Sequence, residues 1–117
     1  MNFRDRSIAA PLKPSTAGRV GKKLSPIHPG DHLADILKEA RISANALALH
    51  LRVPANRITA IIQGKRSITA DTALRLARYF GTSAEFWIGL QSKYDIDLAE
   101  DTLARRIERE VIPRSAA

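Results

Sequence analysis

From Pro29 onward, apolar residues recur at three- and four-residue intervals, broken by short polar stretches, and no run alternates as a strand would. The pattern predicts an all-helical body. Leu33, Ile36, Leu37 and Ala40 form an i, i+3, i+4, i+7 stripe, which predicts a first helix over about 31–40. Ser43 stands where an N-cap belongs, ahead of a second helix that turns Leu47, Ala48 and Leu51 inward. Arg52 and Val53 make a very short connection, and Pro54 suits the first turn of a third helix, where its missing N–H costs nothing. That helix is expected to run to Gly64, a natural C-terminal glycine. Thr69 caps a fourth helix carrying Leu74, Ala77 and Phe80 and stopped by Gly81. Thr82, with Glu85 three residues on, reads as a capping box opening a fifth helix with Phe86, Trp87, Leu90 and Tyr94. A last amphipathic stretch, Leu98 to Val111, carries Leu103 and Ile107.

Residues 1–27 contain Pro11, Pro14 and Pro26, two glycines and several serines without helical or strand period, which predicts a flexible arm. The expected organisation is therefore an arm over 1–27, a five-helix domain over 28–97, and a C-terminal helix and tail over 98–117.

Charge changes this picture because it is uneven. The chain carries +7 overall, but residues 1–27 hold six basic side chains against Asp5 alone, so the remaining body is nearly neutral. Within the body, Arg52, Arg57, Lys65, Arg66, Arg75 and Arg78 face only Asp71, whereas residues 85–110 hold seven carboxylates against four cations. One end suits phosphate and the other does not. With no cysteine, disulfides, thiolate nucleophiles and cysteine-ligated zinc are excluded. No 18-residue apolar run and no apolar leader core are present, so the expectation is a soluble, cytoplasmic protein that does not engage a membrane.

Two helices of eight to ten residues joined by a tight turn are what is needed to place one helix in a major groove while its neighbour braces it. The second and third helices meet that requirement. At about 100° per residue, Pro54, Ala55, Ile58, Ile61 and Ile62 share one side of the third helix, and Asn56, Thr59, Ala60 and Gln63 share the other. That second face is uncharged and lacks large apolar groups. Asn and Gln carboxamides bond adenine N6 and N7 together, and Thr and Ala can meet a thymine methyl, so these four residues are candidates for reading bases. Arg57, on the flank, suits either a guanine edge or a phosphate. Lys65 and Arg66 in the following loop, and Ser43 and Asn45 at the start of the second helix, are candidates for holding phosphates. Segment 43–66 is the expected double-stranded DNA contact.

Other constellations carry less. His28 and His32 stand four apart, a chelating spacing on a helix, but Pro29 and Gly30 lie between them and no third ligand is evident, so no metal site is expected. His50 reads as a helix-end residue. Asp95, Asp97, Glu100 and Asp101 lack the loop glycine and ligand order of a calcium site and are better explained as N-terminal carboxylates of the last helix. No motif sets a Ser or Thr against a base, so neither enzyme activity nor a cofactor is expected.

The run RVPANRITAIIQGKRSITADTALRLARYFGTSAEFWIGLQSKYDIDLA resembles the HigA-type antitoxins of bacterial toxin-antitoxin modules, within the wider Xre/Cro family of helix-turn-helix regulators. The resemblance covers about 27–99. Its most specific parts are Asn56-Arg57-Ile58, the Gly64-Lys65-Arg66 turn, ITADTALRL from Ile68, Phe86-Trp87, Leu90-Gln91 and Tyr94-Asp95. One position departs: many family members carry Gln at the second position of the second helix, where it touches DNA, and this chain has Ala44, with Asn45 as the available substitute.

The resemblance implies a five-helix lambda-repressor-like fold and a homodimer that represses its own promoter at a palindromic operator. It also implies a second partner, a RelE-like, HigB-type ribonuclease toxin that the chain neutralises. Trp87, Leu90 and Tyr94, at i, i+3 and i+7, are candidates for the dimer surface, with closure of the monomer core as the other reading for Trp87. The basic arm has three readings: disorder, contact with DNA backbone, or contact with toxin, the last slightly favoured over DNA. A plain Xre/Cro repressor without a toxin is the alternative function.

Overall fold

The computed structural model describes residues 25–115, and within them the chain forms five helices and no strand. These are α1 (Pro29–Ala40), α2 (Ala44–Leu51), α3 (Ala55–Ile62), α4 (Ala70–Phe80) and α5 (Ala84–Glu110). The arm expected over 1–27 lies, up to residue 24, outside the described residues.

The helix ends follow from local chemistry. His28 caps α1 through Nδ1, which accepts from the Gly30 amide at 2.8 Å, and Pro29 occupies the first turn. The helix therefore begins two residues earlier than the apolar stripe predicts, and Pro29-Gly30 does not break it. Ser43 caps α2 as expected, its Oγ accepting from Ala46 N at 3.0 Å. Ser83, not Thr82, caps α5, with Oγ accepting from Phe86 N at 3.1 Å. The Thr82 hydroxyl instead accepts the indole Nε1–H of Trp87 at 2.8 Å, satisfying the polar edge of a ring that is otherwise fully buried.

One core joins all five helices. Leu33, Ile36 and Leu37 of α1 meet Leu47, Ala48 and Leu51 of α2, Ile58 and Ile61 of α3, Ile68, Ala73 and Leu76 around α4, and Trp87 of α5. The predicted inward residues of α1 and α2 hold except Ala40, which is exposed because the chain turns out at Arg41 in the left-handed region, with φ 59°. On α4 the expectation for Leu74 fails, as its side chain is 63% exposed. Thr72, Ala73 and Leu76 set the buried face, and Leu74 lies on the other side.

The largest departure concerns the C-terminus. The fifth helix and the last amphipathic stretch are a single helix of 27 residues, because no Gly or Pro interrupts Tyr94 to Leu98. Asp95 and Asp97 therefore sit inside a helix rather than at an N-terminus, and bond Gln91 and Lys93 one turn back. From Leu98 onward every described residue is exposed, so the second half of α5 projects from the body.

Backbone meets backbone between α1 and α3. A Cβ on Gly30 would stand 1.9 Å from the carbonyl oxygen and 2.8 Å from the carbonyl carbon of Ile61. Alanine in place of a helical glycine ordinarily stabilises, but here it must push two backbones apart. Gly30→Ala is expected to cost about 1–3 kcal/mol, the usual range for overpacking. At roughly 4–8 °C per kcal/mol for a domain of this size, the loss is measurable as a lowered Tm in thermal denaturation.

Candidate nucleic-acid interface

Segment 43–66 forms the two helices and the short link that the sequence predicts. α2 ends on Arg52 in the left-handed region, with φ 62°, and Pro54, extended at ψ 145°, stands immediately before α3. Pro54 thus occupies the N-cap and not the first helical turn. The rotation of α3 is fixed by Ile58 and Ile61, both 0% exposed. On the opposite side Asn56 and Gln63 are exposed, and Thr59 and Ala60 are half-buried between them. The four residues expected to read bases therefore lie together in a continuous uncharged strip. Its two carboxamides are the residues best presented, while the Thr59 hydroxyl already points its proton back at the Ala55 and Asn56 carbonyls, each at 3.4 Å.

The cations flank this strip. Gly64, in the left-handed region at φ 76°, turns the chain so that Lys65 and Arg66 stand exposed beyond the end of α3. Ile68 then re-enters the core, and its amide donates to Gln91 Oε1 at 2.8 Å, while Gln91 Nε2 donates to Asp95 at 3.0 Å. The loop that carries Lys65 and Arg66 is thus fastened to α5 by a buried side chain. At the other edge Ser43 spends its hydroxyl on capping α2, leaving the first-turn amides as the groups a phosphate would meet. Asn45 is exposed beside them, and Ala44 packs against the core.

Arg57 is already paired. Its Nη1 donates to Asp71 at 2.6 Å, and Asp71 also accepts from Arg75 Nε at 3.2 Å. Arg75 Nη1 in turn donates to the carbonyl of Leu51, the last residue of α2, at 2.8 Å. Hydrogen bonds from Arg75 and then Arg57 hold the Asp71 carboxyl below its ordinary range. A fully folded chain therefore keeps this acid charged at neutral pH, and the linkage weakens only as acid titrates it.

The surface expected for dimerisation is reduced. Trp87 is fully buried among Phe80, Phe86 and the core leucines, so it closes the monomer and cannot meet a partner. Leu90 and Tyr94 keep part of their surface, the Tyr94 ring lying edge-on to His28 at 4.8 Å. Neither the bond from Gln91 to the Ile68 amide nor the pairing of Arg57 with Asp71 and Arg75 was anticipated from the sequence. Arg57 and Asp71 are 14 residues apart on different helices, beyond the reach of any local spacing rule. Of the histidines, His28 serves as a cap, and His50 stacks on Tyr79 at 5.1 Å. Burial lowers the His32 pKa, outweighing the opposing pull of Asp35 and Asp31. Among the described residues no three His, Cys, Asp or Glu side chains gather as metal ligands, and no helix there is long and apolar enough to cross a membrane.

A helix-turn-helix family model matches residues 33–87. Virulence-associated protein I of Dichelobacter nodosus is 50% identical over 82 residues, covering 68% of this chain and 76% of that protein. A HigA-family addiction-module antidote protein from Coxiella burnetii is similar in structure, with 55% identity and a TM-score of 0.75 over 78% of this chain and all of that one. The chain belongs to the HigA-type branch of the Xre/Cro helix-turn-helix family. The Pseudomonas aeruginosa antitoxin HigA, solved with the higBA promoter, is 46% identical with a TM-score of 0.74, covering 77% of this chain and 99% of that one.

In this HigA-type chain the Gln91 bond gives a direct test of how the Lys65–Arg66 loop is held. Gln91→Leu keeps the volume but leaves the buried Ile68 amide without an acceptor, which is expected to cost about 1–3 kcal/mol. Urea denaturation reads the loss, and amide exchange at Ile68 is expected to accelerate.

Proposed function

We propose that this chain is the antitoxin of a toxin-antitoxin pair and, as a homodimer, a repressor of its own promoter. The observation that carries the DNA half is the uncharged strip of Asn56, Thr59, Ala60 and Gln63, turned outward by Ile58 and Ile61 and flanked by Lys65 and Arg66. Carboxamides read base edges, and the flanking cations with the α2 N-terminus at Ser43 and Asn45 hold phosphates. The Pseudomonas relative, solved with the higBA promoter, supports DNA binding by this chain. Two copies would place their α3 helices in successive major grooves roughly 34 Å apart on a palindromic site.

The projecting half of α5 supports the dimer. Ile96, Leu103 and Ile107 are 58%, 40% and 48% exposed and recur at helical spacing on one side. Among the described residues this half of α5 has no buried side chain, a marginal state in water, and a second copy lying along it would supply the missing contact. A RelE-like toxin of basic character would find the acidic stretch from Asp95 to Asp101 complementary. A plain repressor with no toxin is the alternative, and the neighbouring reading frame decides: a small basic protein that co-purifies with this chain and loses its ribonuclease activity in the complex supports the pair, and its absence leaves the repressor.

On the preferred duplex, Asn56→Ala is expected to cost about 1–3 kcal/mol and to relax one base position. Lys65→Ala is expected to weaken all sequences alike and to flatten the salt dependence by about one unit. Binding titrations at several salt concentrations check both. Equal losses on specific and random DNA for Asn56→Ala would remove that residue from the reading face.

A further inference from the structure

An arginine on the flank of a recognition helix has a default effect. Its guanidinium finds phosphate on any sequence, and each such contact adds nearly one released counterion to binding that carries no sequence information. Arg57 occupies that flank, yet its Nη1 is held by Asp71 at 2.6 Å and its side chain is only 23% exposed.

The acceptor does not follow the arginine outward, because it is itself fixed. Arg75 Nε bonds both Asp71 oxygens at 3.2 Å, and Arg75 Nη1 is anchored on the Leu51 carbonyl at 2.8 Å. The pairing also fits Arg57 incompletely, since its Nε is buried with no hydrogen-bond partner. Arg57 is held in place by a fixed acid although one of its donors goes unmet there.

We propose that Asp71 is a specificity-determining residue, holding Arg57 against α4 and so withholding one recognition-helix cation from DNA backbone of arbitrary sequence. The proposal rests on the DNA-reading role of α3 and deepens it: base readout by Asn56 and Gln63 counts for more when the cation beside them is restrained. The acid stays charged throughout the neutral range, so the restraint operates wherever the protein binds DNA.

Asp71→Asn, which keeps the shape and removes the charge, separates this role from its rivals. Two probes are needed: the duplex the wild-type chain selects from a random-sequence pool, and a random duplex of equal length. Asp71→Asn is expected to bind the random duplex several-fold more tightly, with its salt dependence steeper by about one unit, and the ratio of selected to random affinity is expected to fall. In an Arg57→Gln background the same change is expected to leave both the affinity and the slope on random DNA unaltered.

If the gain persists without Arg57, Asp71 acts only as a local negative charge and the proposal fails. Weaker binding to both duplexes with an unchanged slope and a lowered Tm makes the bridge a structural brace, and the proposal fails again. A wild-type chain that selects no sequence removes the DNA-reading role itself, an outcome distinct from either.

Discussion

The interface depends on the burial of Ile58 and Ile61. Both are fully enclosed, and because they sit three apart on a two-turn helix they leave α3 no freedom to rotate about its axis. A rotation of one residue, about 100°, would expose an isoleucine and bury a carboxamide without a partner, each unfavourable. Asn56 and Gln63 face outward as a consequence of what the other side of the helix buries. The proposed reading face is in this sense the complement of the core.

The rest of the chain keeps that helix at the correct depth. Gly30 lets α1 approach α3 until backbone meets backbone, an arrangement open only to a residue without a side chain. Arg75 ties the end of α2 to α4, and Asp71 ties α4 to α3, so α2, α3 and α4 share one polar chain. Exposed ion pairs of this kind contribute little to stability. Their effect is on position, as they fix where a charge can be. Gln91 performs the corresponding service for the loop after α3, linking it to α5.

Much of the fold was legible in the sequence, for reasons that also explain the misses. Caps and apolar periodicity are local, so Ser43, Gly64, Gly81 and, except for Ala40, the inward residues of α1 and α2 were found where they stand. The expected break before Leu98 was absent, because carboxylates that favour a helix N-terminus are also tolerated inside a helix when Lys93 and Gln91 lie one turn back. Thr82 and Ser83 are adjacent potential caps, and the choice between them was made by Trp87, whose indole claims the threonine. Leu74 was misplaced because Thr72 is buried, and a buried threonine is invisible to an apolar pattern. Trp87, Leu90 and Tyr94 share a helical stripe, but only tertiary packing separates the one enclosed from the two left at the surface.

At the candidate site the same division applies. The outward strip follows from periodicity alone, whereas the restraint on Arg57 depends on helices α3 and α4 meeting at a particular distance. The most direct test of the account is a nuclear magnetic resonance titration that follows the side-chain amide signals of Asn56 and Gln63. They are expected to shift on the selected duplex and to stay in place on a random one, while the Lys65 and Arg66 backbone signals respond to both. Carboxamide signals that do not move on the selected duplex, or changes centred on α5, would contradict it.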